Sequence, residues 1–63
     1  MDNKKIKDIR GKMGLSQERF AALVGVTRVT IARWEDGIVQ PSPLAERMLQ
    51  QIEKETEGDN AKR

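Results

Sequence analysis

The sequence predicts an all-α fold, a compact bundle of four or five helices ending in a disordered tail. Three observations lead there. Apolar residues recur at three- and four-residue spacings along a chain of 63 residues. Gly14, Gly25 and Gly37 fall where those stretches stop, as glycine does at helix C-termini. No segment shows the two-residue alternation of a strand.

The helices are expected at about 3–13, 16–24, 27–36 and 42–56, giving one domain over 1–56 and a tail over 57–63. In the first, Ile6, Ile9 and Met13 recur at i, i+3 and i+7, and Gly14 stops it. The second opens at Ser16, whose hydroxyl can accept from the backbone of the first turn. Leu15 and Phe20 are spaced for a hydrophobic staple, although Arg19 stands where a capping box would place Glu. Phe20, Leu23 and Val24 form its apolar stripe, and Gly25 ends it. Thr27 caps the third helix, and Gly37 closes it. In "IVQPSP" the prolines stop one helix and prepare the next, with Ser42 as cap and Pro43 at the first helical position, where a missing N–H is tolerated. Leu44, Met48, Leu49 and Ile52 mark the fourth. "EGDNAKR" is polar apart from one alanine and reads as tail.

Composition excludes more than it includes. There is no cysteine, histidine or tyrosine. Disulfide staples and the usual zinc ligands are therefore unavailable, as is the commonest general base. With no glycine-rich phosphate loop either, an enzyme is rejected, and neither a metal nor a cofactor is expected. No apolar run is long enough to span a membrane. "MDNKKIKDIRGKMG" lacks the apolar segment of a signal peptide, which makes a cytoplasmic protein the default. The charge is divided unevenly. Up to Trp34 there are eight Lys/Arg against three acids; from Glu35 onward there are four against seven. Either the first half faces a polyanion or both halves are ordinary solvated surfaces.

The third helix weighs on that choice. On a wheel of about 100° per residue, Ile31, Trp34 and Glu35 fall on one side. Val29, Ala32 and Arg33 fall on the other, flanked by Arg28 and Thr30. The first side is the natural core face. The second presents two arginines, a β-branched apolar residue and a small one. This set suits a DNA major groove, because arginine can pair with both acceptors of guanine and valine can touch a thymine methyl. Thr27 and Thr30 can reach phosphates or base edges. Solvated helix arginines are the competing reading.

With these residues in place, "LSQERFAALVGVTRVTIARWEDGIVQPS" resembles the Cro/repressor-type, or XRE-like, helix-turn-helix family, over roughly Ile6 to Ile52. The resemblance implies a lambda-repressor-like bundle in which the second helix crosses the DNA backbone and the third lies in the major groove. It implies base reading by Thr27, Arg28, Val29 and Arg33, with Thr30 nearby. It also implies phosphate contacts by Gln17, with Ser16 beside it at the start of the second helix, and by Gln40 and Ser42 in the loop after the third. Lys5, Lys7, Lys12 and Arg19 are phosphate candidates by charge alone. Arg10 and Glu35 match a pair that forms a partly buried structural salt bridge in that family. Glu35 also falls on the core side of the wheel, where an unmet carboxylate is costly. Trp34 shares the side of Ile31 and belongs to the core rather than to a stacking platform.

The expected function is a sequence-specific DNA-binding transcription regulator, a repressor acting as a symmetric homodimer on a palindromic operator, in a bacterial or phage-infected cytoplasm. "VQPSPLAERMLQQIEK" is more weakly similar to the DNA-binding half of MqsA-type antitoxins. The alternative is therefore an antitoxin or protein-binding module that grips a toxin partner and autoregulates its operon. Leu49 stands off the line of Leu44, Met48 and Ile52, either to meet a second chain or to pack on the first helix.

Overall fold

The computed structural model describes residues 1–61, with side chains described for 1–56. Four helices follow one another: α1 (Asn3–Met13), α2 (Gln17–Val24), α3 (Arg28–Glu35) and α4 (Pro43–Ala61). Each starts behind a side chain that accepts a backbone N–H left over by the first turn. Asp2 Oδ1 accepts from Lys4 N at 2.8 Å, Ser16 Oγ from Arg19 N at 3.2 Å, Thr27 Oγ1 from Thr30 N at 3.3 Å and Ser42 Oγ from Ala45 N at 3.2 Å. The expected starts at 16, 27 and 42 are thus the caps themselves. The far end differs from expectation, since α4 runs to Ala61, beyond the predicted end at 56. Of the expected tail, residues 62–63 and the side chains of 57–61 lie outside what the structure describes.

The turn between α2 and α3 depends on Gly25, which stands at φ 90°, a region that other L-residues enter at a cost. Its N–H and that of Val26 both reach the Ala21 carbonyl, at 2.8 and 2.9 Å. The chain therefore turns within the three residues between the helices, which brings α3 against α2. Gly37 repeats the device at the end of α3, with φ 76°.

The core is Ile6 and Ile9 from α1, Phe20, Ala21 and Val24 from α2, Ile31 and Trp34 from α3, and Leu49 from α4. Met13, Leu15, Val26, Ala45 and Ile52 pack around it. Helix α3 lies against α2 and α1, and α4 closes the other side against α1 and α2. Polar ties reinforce these contacts. Lys5 Nζ meets Glu53 Oε2 at 2.5 Å across α1 and α4, the Met1 amino group meets Glu46, and Asn3 Nδ2 donates to the Glu35 carbonyl at 3.0 Å.

One open alternative is settled and one sequence expectation is corrected. Leu49 is fully enclosed, at 0% exposure, so it packs within its own chain and is not available to a second one. Leu44, by contrast, is 76% exposed, and Met48 and Leu23 are about half exposed. The reason is the phase of α4. Its buried line runs through Ala45, Leu49 and Ile52, at spacings of four and three, and Leu44 and Met48 stand one position round the helix. Leu44, Ala45 and Met48 instead wall a shallow cleft of about 230 Å³ with Val24, Gly25, Val26 and Ser42.

Leu49→Ala should destabilise the fold by about 2–5 kcal/mol. Leu44→Ala should leave stability within about 0.5 kcal/mol. Urea denaturation of the two variants against the parent checks both; equal losses would refute this phase for α4.

Candidate nucleic-acid interface

Helix α3 has two unlike sides. Ile31 and Trp34 are buried, and Glu35 is 8% exposed. On the outer side Arg28 and Arg33 are exposed, Val29 is 49% exposed and Ala32 is half-buried. Neither guanidinium has an ion pair or hydrogen bond with another described residue. Arg28, Val29, Ala32 and Arg33 form adjacent rows at i, i+4 on one face, so two cations flank a short apolar strip. The two threonines are less free. Thr27 Oγ1 already accepts the Thr30 N–H, and the two hydroxyls lie 3.0 Å apart. Thr27 is exposed and Thr30 half-buried.

Behind this face sits the ion pair of Arg10 and Glu35. Arg10 Nε donates to Glu35 Oε2 at 2.7 Å and a second guanidinium nitrogen, Nη2, to Oε1 at 3.1 Å. This is the two-pronged geometry in which a guanidinium matches a carboxylate. The remaining nitrogen, Nη1, donates to the Leu15 carbonyl at 3.0 Å. Gln17 Nε2 also donates to Glu35 Oε1, at 3.1 Å. One carboxylate therefore joins α1, the start of α2 and the end of α3. Burial pushes the Glu35 carboxyl up, but hydrogen bonds from Arg10 and Gln17 and the charges of Arg10 and Lys7 outweigh it, holding it below the usual carboxylate range. The same hydrogen bond raises the Arg10 guanidinium against a smaller opposing effect of burial.

The phosphate candidates are spread over the ends of three helices. Gln17 is half-buried and engaged with Glu35, a contact that sequence reasoning missed because nothing local links positions 17 and 35. Ser16 and Ser42 are exposed caps whose oxygens accept backbone N–H groups, which leaves each hydroxyl proton free to donate. Gln40 is exposed in the loop between α3 and α4. Lys5 is occupied by Glu53, and Lys12 lies 3.4 Å from Asp8. With Lys4, Lys7 and Gly11, Lys12 and Asp8 line an open groove on α1. Arg19 is exposed at the start of α2. No group of side chains suited to holding a metal ion occurs among the described residues, and no helix among them is long and apolar enough to cross a membrane.

Two short helices set at an angle by a glycine, the second turning an arginine-bearing face to solvent, define a helix-turn-helix protein. A helix-turn-helix family model matches residues 6–55, and the chain belongs to that family. It is also 48% identical, over 40 residues, to an uncharacterised HTH-type transcriptional regulator, YgzD, of Bacillus subtilis strain 168. The match covers 64% of this chain and 61% of the relative, so the chain spans less than two thirds of that protein's length. No solved structure matches it.

Removing Glu35 leaves the Arg10 charge partly buried and without its partner. Glu35→Ala should therefore lower stability by about 2–4 kcal/mol, near the range for broken buried pairs, and high salt should not reproduce the loss in the parent. Because the Glu35 carboxyl is held below its ordinary value, the folded chain binds its proton less readily than the unfolded chain. This part of the stability is complete above pH about 4.3 and is lost as pH falls through the lower folded value. Melting of the parent should weaken on acidification through that window, and Glu35→Gln should remove this share of the dependence. Parallel melting curves for both proteins from neutral to acid pH would contradict the assignment.

Proposed function

We propose that the protein is a sequence-specific double-stranded DNA-binding transcription regulator, a repressor acting as a symmetric dimer in the cytoplasm, with α3 as the helix that enters the major groove. The observation that carries this reading is the outer face of α3. Arg28 and Arg33 have no ion pair or hydrogen bond among the described residues and stand beside a half-exposed valine and a small alanine. Arginine is the side chain suited to both guanine acceptors in the major groove, valine suits a thymine methyl, and a small residue lets the helix axis come close. The family and the name of the bacterial relative support the same class.

In this reading Arg28, Val29 and Arg33 meet base edges, and Thr27 and Thr30 lie at the margin between bases and phosphates. Gln17 and Ser16 meet a phosphate at the start of α2, where leftover N–H groups and the helix dipole favour an anion. Gln40 and Ser42 meet phosphates beyond α3. The uneven charge fits, because eight of the twelve basic residues lie in the part of the chain that contains α1, α2 and α3. A palindromic operator with half-sites about 34 Å apart follows from two-fold symmetry. A dimer would offer cover to the large apolar side chains exposed at Ile38, Val39, Leu44 and Met48.

Selection of binding sites from random duplexes should enrich a palindrome containing guanine. Arg33→Ala should weaken binding to the selected site by about 1–3 kcal/mol and relax one base position. A pool with no enriched motif, or an Arg33→Ala variant that binds selected and random duplexes like the parent, would defeat the proposal.

A further inference from the structure

We infer that Glu35, beyond its structural pairing with Arg10, is a positioning residue for DNA: through the Gln17 amide it sets which end of that amide faces a bound phosphate. This rests on the reading that Gln17 is a phosphate anchor.

The two ends of a glutamine amide are nearly alike in shape and opposite in chemistry, one donating and the other accepting. A solvated glutamine presents either end, and its oxygen repels a phosphate. Glu35 removes the choice. As a carboxylate it only accepts, so the group that meets its Oε1, at 3.1 Å, is the Gln17 nitrogen. That nitrogen carries two protons. One is spent on Glu35, and the other is left to donate from a half-buried side chain beside the start of α2. The backbone half of the anchor is held by the same pair. Arg10 Nη1 donates to the carbonyl of Leu15 at 3.0 Å, just before the turn whose N–H groups have no acceptor within the helix. Arg10 also neutralises Glu35, so the carboxylate does not repel the phosphate it prepares for. Both halves are ordered before DNA arrives, which removes part of the ordering cost of binding.

The test uses the full chain and a random-sequence duplex of about 20 base pairs, at a temperature where circular dichroism shows every variant folded. Glu35→Gln preserves shape but can offer Gln17 either a donor or an acceptor. Gln17→Ala and Glu35→Gln should each weaken binding about 3- to 10-fold, and the double variant should bind no more weakly than Gln17→Ala alone, since one residue acts through the other. A purely structural Glu35 leaves the affinity of folded protein unchanged. The parent supplies an independent readout should Glu35→Gln fail to fold. In its amide NMR spectrum, titration with the duplex should move one Gln17 Nε2 proton and leave its partner in place.

If Glu35→Gln binds like the parent, if the two losses multiply in the double variant, or if both Gln17 protons move together, the inference is overturned while the anchor reading stands. If Gln17→Ala binds like the parent and neither proton moves, the anchor reading falls and takes the inference with it.

Discussion

A carboxylate withdrawn from water needs a cation and donors enough to stay ionised, and here that need is met by groups from three helices. Glu35, near the end of α3, receives Arg10 from α1 and Gln17 from the start of α2. Arg10 in turn holds the chain entering α2 through the Leu15 carbonyl. The apolar core is small, and hydrophobic contact alone tolerates sliding and repacking. A two-pronged ion pair with further hydrogen bonds does not, because its geometry fails within about half an ångström. The angle at which α3 stands across α2 therefore depends on one polar cluster as much as on Ile31, Trp34 and Phe20. Gly25 permits the bend, and Glu35 and Arg10 fix where it comes to rest.

From this follows the division of labour in α3. A helix of eight residues has little surface to share. Its inner side is fully used by Ile31, Trp34 and Glu35, which leaves its outer side without a structural task. Elsewhere some side chains tie one helix to another: Lys5 to Glu53 and Asn3 to the end of α3. On α3, Arg28 and Arg33 have no such partner among the described residues. Their freedom is what a recognition surface requires, since a guanidinium already paired within its own chain has little left to offer a base.

Much of this was legible in the sequence, and the limits of legibility have a physical pattern. Ser16, Thr27 and Ser42 disclosed the helix starts, and Gly25 and Gly37 the bends, because capping and left-handed backbone are local chemistry. The inner side of α3 was legible because a short helix with two large apolar residues admits one orientation. The face of α4 was not. Leu44, Met48, Leu49 and Ile52 fit more than one rotation of a long helix, and the choice of Leu49 over Leu44 was made by the shape of the gap left by α1 and α2. The bond from Gln17 to Glu35 was hidden for a related reason, since it joins residues far apart in the chain that meet once three helices have packed. The roles given to Arg28, Val29, Arg33 and Gln40 rest on position and exposure, and they are proposals about a molecule that the chain has yet to meet.

The bareness of the outer face of α3 also bears on how such a protein can change. Because Arg28 and Arg33 are exposed, Val29 is half exposed, and none of them belongs to the core cluster, exchanging them should disturb neither the ion pair nor the core. Substitutions at such surface positions ordinarily move stability by less than about 0.5 kcal/mol. If α3 reads DNA as proposed, fold and target preference are separately inheritable: one scaffold can drift from one binding sequence to another through three side chains, without passing through an unfolded intermediate form.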